Sequence, residues 1–521
     1  MSKKSSFVIL LLCAVGSLAF LDRPTQTALS SIRPEDVRRH IDFLASDALL
    51  GRNTPSPELD QAARYLAAEF EKYGLQPVNG SYFQTFHLDR IRLGKENFVT
   101  VTEPSGSEFE LKIRRDFMPY QFTADGQAAG DLVFVGYGIT APEYDYDDYA
   151  GLDVRGKVAV VLKHEPGEKD EQSPFAGRKP TEYSKLRAKV ENAIAHGAAG
   201  LLVITDPLNH RSLRPRGFPW PSLYKNIPDA AVPYTLSILA DQKIPVVQVG
   251  KRFVKSVFGG VESLRQIQVA IDSSGRPNSF ALEGFRVVVR TSLEVESTPT
   301  QNVVALREGS DPELKKQLIV VGAHYDHVGY KPGQADSGED YIYNGADDNA
   351  SGTVALLEIA EAFSRQPRPR RSVLFIAFAG EEKGLFGSRY YVEQPLWPLS
   401  QTRAMFNMDM VGRNQGDRVS IIGYRHSPDL KRINEAANKY VGMDLRYDGE
   451  EFFRRSDHYN FARKKIPVLF YNTGLHKDYH KVSDNPDKIN VGKIATVARL
   501  VFRTVWHAAN TAETFRYVEP E

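Results

Sequence analysis

Short apolar runs, each followed closely by carboxylate or imidazole side chains, recur through the C-terminal part of the chain. Gln317-Leu318-Ile319-Val320-Val321 leads into His324, and Ser372 to Phe378 leads into Glu381. Ala404-Met405-Phe406 leads into Asp409, and Pro467 to Tyr471 leads towards His480. Unbroken apolar runs of this length fit strands buried on both faces, the pattern of parallel sheets. Between the first two runs, Ser351 to Arg365 sets Val354, Leu357, Ala360 and Phe363 at helical spacing, with Ser351 as the expected cap and Pro367 beyond the end. Strand, helix, strand predicts a parallel α/β unit. Because open α/β sheets bind ligands at the carboxyl ends of their strands, the polar residues downstream of each run are expected to meet in one crevice.

The rest of the chain carries different patterns. Pro34-Glu35-Asp36-Val37 and Pro57-Glu58-Leu59 each start a helix, the second with Ala62, Leu66 and Phe70 on one face and ending at Gly74. Gln84 to Phe122 alternates as β-hairpins would (Phe86, Leu88; Phe98, Val99, Val101; Phe109, Leu111, Ile113), expected at the rim of the larger domain. Asp131 to Val135, Lys157 to Leu162 and Gly200 to Ile204 read as strands, and Tyr183 to His196 as a helix. Glu165 to Lys179 reads as a mobile loop, and Asp206 to Asp229, crowded with prolines and aromatics, as irregular. Val491 to Ala509 closes the chain as a helix with Ile494, Val497, Val501 and Val505 inward.

At 521 residues the chain exceeds what one core usually organises. The expected organisation is a targeting segment at 1–19, a first part of the main domain at 20–122, a small β-rich insert at 123–297, and the site-bearing second part at 298–521. Lys3 and Lys4, the apolar run from Phe7 to Phe20, and Ser17-x-Ala19 predict a secretory signal, with an uncleaved anchor as the alternative. After cleavage no stable membrane span is expected. Cys13, the only cysteine, lies in this segment, so a secreted or periplasmic product would owe its stability to core and metal, without disulfides. A formal net charge of +1 offers no basic surface for nucleic acid.

The chemistry is concentrated around Gly345-Ala346-Asp347-Asp348-Asn349-Ala350-Ser351-Gly352, between His324-x-Asp326 and Glu381-Glu382. His324, Asp348, Glu382, Asp409 and His480 are nitrogen and oxygen donors of the kind zinc takes. With one carboxylate shared, they suffice for two zinc ions about 3.5 to 4 Å apart, as in two-metal hydrolases. Asp348, on the central loop, is the expected bridge. Glu381, left free, is the candidate general base and acid; Asp326 is placed to orient the His324 imidazole. Carboxylates packed this closely would raise one another's pKa unless cations offset them. His327, His458 and His476 lie near these motifs, but packing in a loop or behind a ligand accounts for them better. Asp457 and His458 are candidate substrate contacts. His40, His87, His164, His196, His210, His426 and His507 carry no supporting pattern, and the insert shows no catalytic cluster.

With these residues placed, the chain resembles the bridged dizinc exopeptidases, the secreted bacterial leucyl aminopeptidases and, more distantly, the glutamate carboxypeptidase and transferrin-receptor ectodomains. The motifs that carry the resemblance are Ala323-His324-Tyr325-Asp326, Gly345 to Gly352, Gly380-Glu381-Glu382-Lys383-Gly384, Asn407 to Gly412, Ser456-Asp457-His458 and Asp478-Tyr479-His480. The resemblance implies a mostly parallel sheet with helices on both faces and two zinc ions per chain. One ion would be held by His324, Asp348 and Asp409, the other by Asp348, Glu382 and His480. It implies a peptide substrate and an aminopeptidase activity, with Glu381 catalytic. The insert resembles a protease-associated domain through Gly136 to Ile139, Gly156 to Val161 and His196 to Gly200. Alternatives on the same scaffold are a carboxypeptidase or dipeptidase and a one-zinc glutaminyl cyclase. From another class comes a non-catalytic receptor, disfavoured because no catalytic position departs from the pattern.

Overall fold

The computed structural model describes residues 24–175, 177–218, 232–237, 244–334 and 338–520. The expected signal at 1–19 and part of the irregular stretch at 206–229 lie outside them. The chain divides into two compact units, one formed by residues up to Phe86 together with Thr298 onward, the other by His87–Ser297. No helix among the described residues is long and apolar enough to cross a membrane.

The first unit carries the predicted α/β pattern. Its elements are α1 (Pro34–Leu44), α2 (Pro57–Lys72), β1 (Leu293–Arg307), β2 (Leu318–His324), α3 (Gly352–Ser364), β3 (Ser372–Phe378), α4 (Phe386–Glu393), β4 (Thr402–Met408), β5 (Arg418–Ile422), α5 (Pro428–Asn438), β6 (Asp444–Arg446), α6 (His458–Ala462), β7 (Val468–Asn472) and α7 (Val491–Asn510). Seven consecutive strands of a nine-stranded sheet run β1-β3-β2-β4-β7-β5-β6, with Phe83–Leu93 and then Tyr234–Leu236 beyond β1. The four strands read from the apolar runs, β3, β2, β4 and β7, are parallel neighbours; β1 and the β5–β6 pair extend them with antiparallel junctions. Every residue of β2 and β3 is buried, which is why they read as solid apolar runs.

Alternation along β3 shows how both faces are covered. Leu374, Ile376 and Phe378 share a core with Tyr391 of α4 and Phe461 of α6. Phe375 points the other way, its ring centroid 5.6 Å from Phe363 of α3 and 6.4 Å from Phe70 of α2. α7 packs on α3 and α5, with Ile494, Val497, Val501 and Val505 fully buried as its periodicity predicts. Truncating a residue such as Phe375 would cost about 3–5 kcal/mol through lost transfer energy and the cavity left behind.

The second unit corrects the expected boundary at residue 122. Its sheet runs Glu108–Leu111, Phe98–Thr102, Phe280–Thr291, Gly126–Phe134, Val158–Leu162, Gly200–Ile204, Val246–Val249, Phe117–Pro119. The hairpin strands expected at the rim of the larger domain therefore belong here: Val99, Val101 and Leu111 are buried in one core with Val287 and Val289. The hairpin follows its apolar face, and that face pairs with a strand almost two hundred residues away. Nor is the unit simply β-rich, since Gly126–Phe134, Val158–Leu162, Gly200–Ile204 and Val246–Val249 are mutually parallel, with helices at Leu186–Ala195, Lys251–Phe258 and Val261–Ser274. The loop after Leu162 is irregular but anchored. Glu165 is buried and accepts the Thr181 N–H at 3.0 Å, and Phe175 packs on Tyr144 and Tyr146.

One pair of buried ionisable groups couples the first unit's stability to pH. Glu358 of α3 is fully buried, its Oε2 accepts the Arg33 N–H at 3.1 Å, and its Oε1 has no hydrogen-bond partner. Burial pushes its pKa up to about 8. His40, 4.0 Å away, is lowered to about 4 by burial and stays neutral. A folded-state carboxyl pKa raised from 4.5 means that the native state binds its proton more tightly, so stability is lost as pH rises from about 4.5 to about 8. Glu358→Gln keeps the acceptor for Arg33 and removes the titration. Its unfolding free energy is expected to match the native chain near pH 4.5 and to exceed it by a few kcal/mol, on the order of 1.4 per unit of pKa shift, near pH 8; denaturant melts at the two pH values measure this.

Candidate active site

The site forms at the carboxyl edge of the four parallel strands. His324 is the last residue of β2, Asp409 follows β4 directly, and Glu381 and Glu382 follow β3. The chain beyond β7 brings in His480. Asp348 arrives on the loop preceding α3, where Gly345 has a φ of 55°. A Cβ at Gly345 would lie 2.2 Å from the Asp348 carbonyl and 2.5 Å from the His327 ring, so only glycine lets this loop close. Ser351 does not cap α3 as expected. Its hydroxyl donates to the Asp347 carbonyl at 2.7 Å and accepts the Val411 N–H at 3.0 Å, tying the loop to the β4 exit.

The five expected metal ligands come together, and Asp348 is central. Its Oδ1 lies 3.4 Å from His324 Nε2, which is 3.3 Å from Asp409 Oδ1. Its Oδ2 lies 3.1 Å from His480 Nε2, which is 3.2 Å from Glu382 Oε2. The two oxygens of one carboxylate thus face two separate donor groups, His324–Asp348–Asp409 and Asp348–Glu382–His480. His327, which the sequence placed in a loop or behind a ligand, packs against Glu382 and falls within the second group: its Nδ1 is 2.8 Å from Glu382 Oε1 and 3.9 Å from Asp348 Oδ2. His327 follows Asp326 directly, so proximity to the motif was the only signal that could have found it.

The supporting residues account for the precision of this arrangement. Asp326 Oδ1 accepts the Glu381 N–H at 3.2 Å and lies 3.7 Å from His324 Nδ1, while its Oδ2 accepts the Thr54 hydroxyl at 2.8 Å. It therefore positions both the imidazole and the Glu-Glu turn. Asp484 Oδ2 accepts the N–H groups of Asp347 and Asp348 at 2.9 and 3.1 Å, and His476 Nε2 lies 3.1 Å from Asp347 Oδ2. Arg52, fully buried, donates to the carbonyls of Leu44, Tyr325, Asn344 and Gly345. Burial lowers it to about 10, so it still enters the site as a cation. Sequence reasoning gave Arg52 and Thr54 no role; they lie in a loop without a pattern. Asp457 and His458, offered as substrate contacts, are instead fully buried, with His458 stacked on Phe470 at 4.5 Å.

Charge is crowded here. Burial and the neighbouring Glu382 raise Asp348 to about 6, and burial carries Glu381 well above the usual carboxylate range. Burial pushes Glu382 up as well, but hydrogen bonds with His327 and His480 outweigh it and hold it low. Burial disfavours charge on His480, yet its hydrogen bonds to Asp348 and Glu382 raise it to about 10. The residues fit divalent metal. His324 Nε2 and Asp409 Oδ1 are buried, face each other and make no hydrogen bond, as does His327 Nε2 on its side. Nitrogen and oxygen donors in groups of three and four match zinc. Beside them opens a narrow cleft of about 40 Å³ lined by Glu381, Met410, Phe452, Arg455, Phe470, Leu475 and Tyr479 among others.

Comparison with known proteins agrees with this geometry. Residues 302–505, which contain all these ligands, match the family model described as Peptidase family M28. The chain is similar to a probable leucine aminopeptidase of Trichophyton verrucosum, 28% identical over 199 residues, 36% of this chain and 54% of that protein. It is similar too to aminopeptidase Y of Saccharomyces cerevisiae, 27% identical over 237 residues, 42% of this chain and 41% of that protein. The chain spans about half the length of these curated relatives. Among solved structures, the aminopeptidase from Aneurinibacillus sp. strain AM-1 aligns over 95% of this chain and 97% of its own at 22% identity, with a TM-score of 0.46.

Thr54 offers a test of the support beneath the M28 site. Its hydroxyl accepts the Gly380 N–H at 3.1 Å while donating to Asp326. Thr54→Val keeps the volume and leaves two buried polar groups unpaired, so it is expected to lower unfolding free energy by about 1–3 kcal/mol in denaturant melts.

Proposed function

We propose that the chain is a secreted zinc aminopeptidase that removes N-terminal residues from peptides, with two zinc ions in the donor groups sharing Asp348. The observation that carries this reading is the split of the Asp348 carboxylate, one oxygen towards His324 and the other towards His480, with Glu381 lining the adjoining cleft. His324, Asp348 and Asp409 would hold one ion; Asp348, Glu382 and His480, with His327 behind Glu382, the other. Zinc bound there supplies Lewis-acid polarisation of the scissile carbonyl and a water acidic enough to attack at neutral pH.

The remaining work falls to the chain's own side chains. Glu381 takes the proton of the attacking water and returns it to the leaving amine. Its turn is held for this by the Asp326 carboxylate on its N–H. Met410, Phe452, Phe470 and Leu475 give the cleft an apolar wall suited to an apolar side chain. The names of the Trichophyton and yeast relatives support action at the amino end. Arg455, the one cationic residue lining the cleft among the described residues, favours a second reading, a carboxypeptidase or dipeptidase holding a terminal carboxylate.

Two outcomes follow. Glu381→Gln is expected to lower kcat by at least about 100-fold, the lower end of a general base's contribution, with zinc content by metal analysis unchanged; near-normal turnover would refute the role. Leucyl-4-nitroanilide is expected to be cleaved, to resist cleavage after chelation, and to be cleaved again after zinc is restored. Cleavage of N-blocked peptides instead would establish the carboxypeptidase reading.

A further inference from the structure

The second unit contains a cluster of donors outside residues 302–505. Val158–Leu162 and Gly200–Ile204 are parallel neighbours in register, Leu162 opposite Ile204, and the pairing continues with the Lys163 N–H on the Ile204 carbonyl at 2.9 Å. Both chains then turn at the carboxyl edge. His164 and Asp206, each two residues past its strand, therefore emerge side by side. Four residues further along each chain comes the complementary type, Glu168 after His164 and His210 after Asp206, the second brought back by a turn in which the His210 N–H meets the Asp206 carbonyl at 3.3 Å. The signal is the one that found the first site, an apolar strand run followed at once by an imidazole or a carboxylate, and it supplies the supporting pattern that the sequence reading did not find for His164 and His210.

The geometry is that of a four-donor site. His164 Nδ1 contacts Asp206 Oδ1 and lies 3.9 Å from Glu168 Oε2. His210 Nε2 lies 2.8 Å from Glu168 Oε2 and 3.6 Å from Asp206 Oδ2. The imidazoles stack with centroids 4.1 Å apart, and one donor atom from each of the four residues falls within 4.8 Å of the others. Asp206 is fully buried, and its Oδ2, on the His210 side, has no hydrogen-bond partner. Two imidazolium cations stacked at this distance would repel, whereas two neutral imidazoles sharing one dication would not. Glu168, His164 and His210 are each about a quarter to a third exposed, which leaves a path for loading from solvent.

We propose that His164, Glu168, Asp206 and His210 bind one Zn²⁺. Two imidazole nitrogens and two carboxylate oxygens match its usual donors, and four protein ligands would close the site, as in structural rather than catalytic zinc. The ion would fasten the loop after Leu162 to the segment after Ile204, which Lys169 already links through the Asn209 carbonyl at 2.7 Å. The site does not depend on the peptidase reading.

The test uses the full chain carrying Asp348→Ala and His480→Ala, which dismantles both donor groups of the M28 segment. Equilibrium dialysis against micromolar Zn²⁺ is expected to leave one equivalent per chain, and adding His164→Ala and His210→Ala to reduce it to none. Loading with Co²⁺, which needs no change in the second unit, is expected to give the visible absorption bands of tetrahedral nitrogen and oxygen coordination. No retained zinc and no cobalt bands, or zinc unaffected by the two further substitutions, would overturn the proposal.

Discussion

The structure turns on the cost of burying carboxylates next to one another. Asp348, Glu382 and Asp409 come within a few ångströms of shared imidazoles, and Glu381 sits beside them; burial and neighbouring carboxylates raise Asp348 and Glu381 above the usual carboxylate range. Unscreened like charges this close cannot all remain ionised. Positive charge from imidazolium groups offsets part of the cost, and divalent ions would offset it more completely, because an ion accepts lone pairs that a proton on one nitrogen leaves unused. The sheet edge, the glycine-bearing loop and the buried Arg52 all serve to hold negative groups where only cations make them tolerable.

That constraint explains the division of labour around the site. Residues that touch the candidate ion positions come from the ends of rigid strands or from loops tied to them, and several are backed by a second polar group: Asp326 behind His324 and Glu381, Asp484 behind the Asp347–Asp348 backbone, His327 against Glu382. Arg52 gathers the carbonyls of three loops into one place and would leave them unpaired if removed. Side chains so held lose little freedom on binding, which is what makes a preformed site effective.

The same construction recurs in the second unit on a smaller scale. Two adjacent parallel strands end together, and the residues beyond their carboxyl ends supply an imidazole and a carboxylate each. Strand register does there what the larger crossover connections do in the first unit. What differs is the surroundings: the 302–505 segment opens a cleft beside its donors, and the segment after Asp206 is tied to the neighbouring helix by the Leu208 N–H on Gln268.

Much of this was written into the chain. Solid apolar runs identify β2, β3, β4 and β7 because burial on both faces leaves no room for alternation, and the polar residues that follow each run are conspicuous for interrupting it. The helices α3 and α7 were legible from their spacing for the same reason. Other features depended on long-range pairing. The hairpin at Phe98 to Leu111 looks alike in either unit until Phe280–Thr291 claims it, and Arg52 acquires meaning only when Tyr325, Asn344 and Gly345 surround it. His164 and His210 carry the right chemistry at the right distance from their strands, yet neither becomes a donor until register sets the two strand ends side by side. Local pattern determines which residues must be buried or exposed; only the folded chain decides which distant ones share a charge.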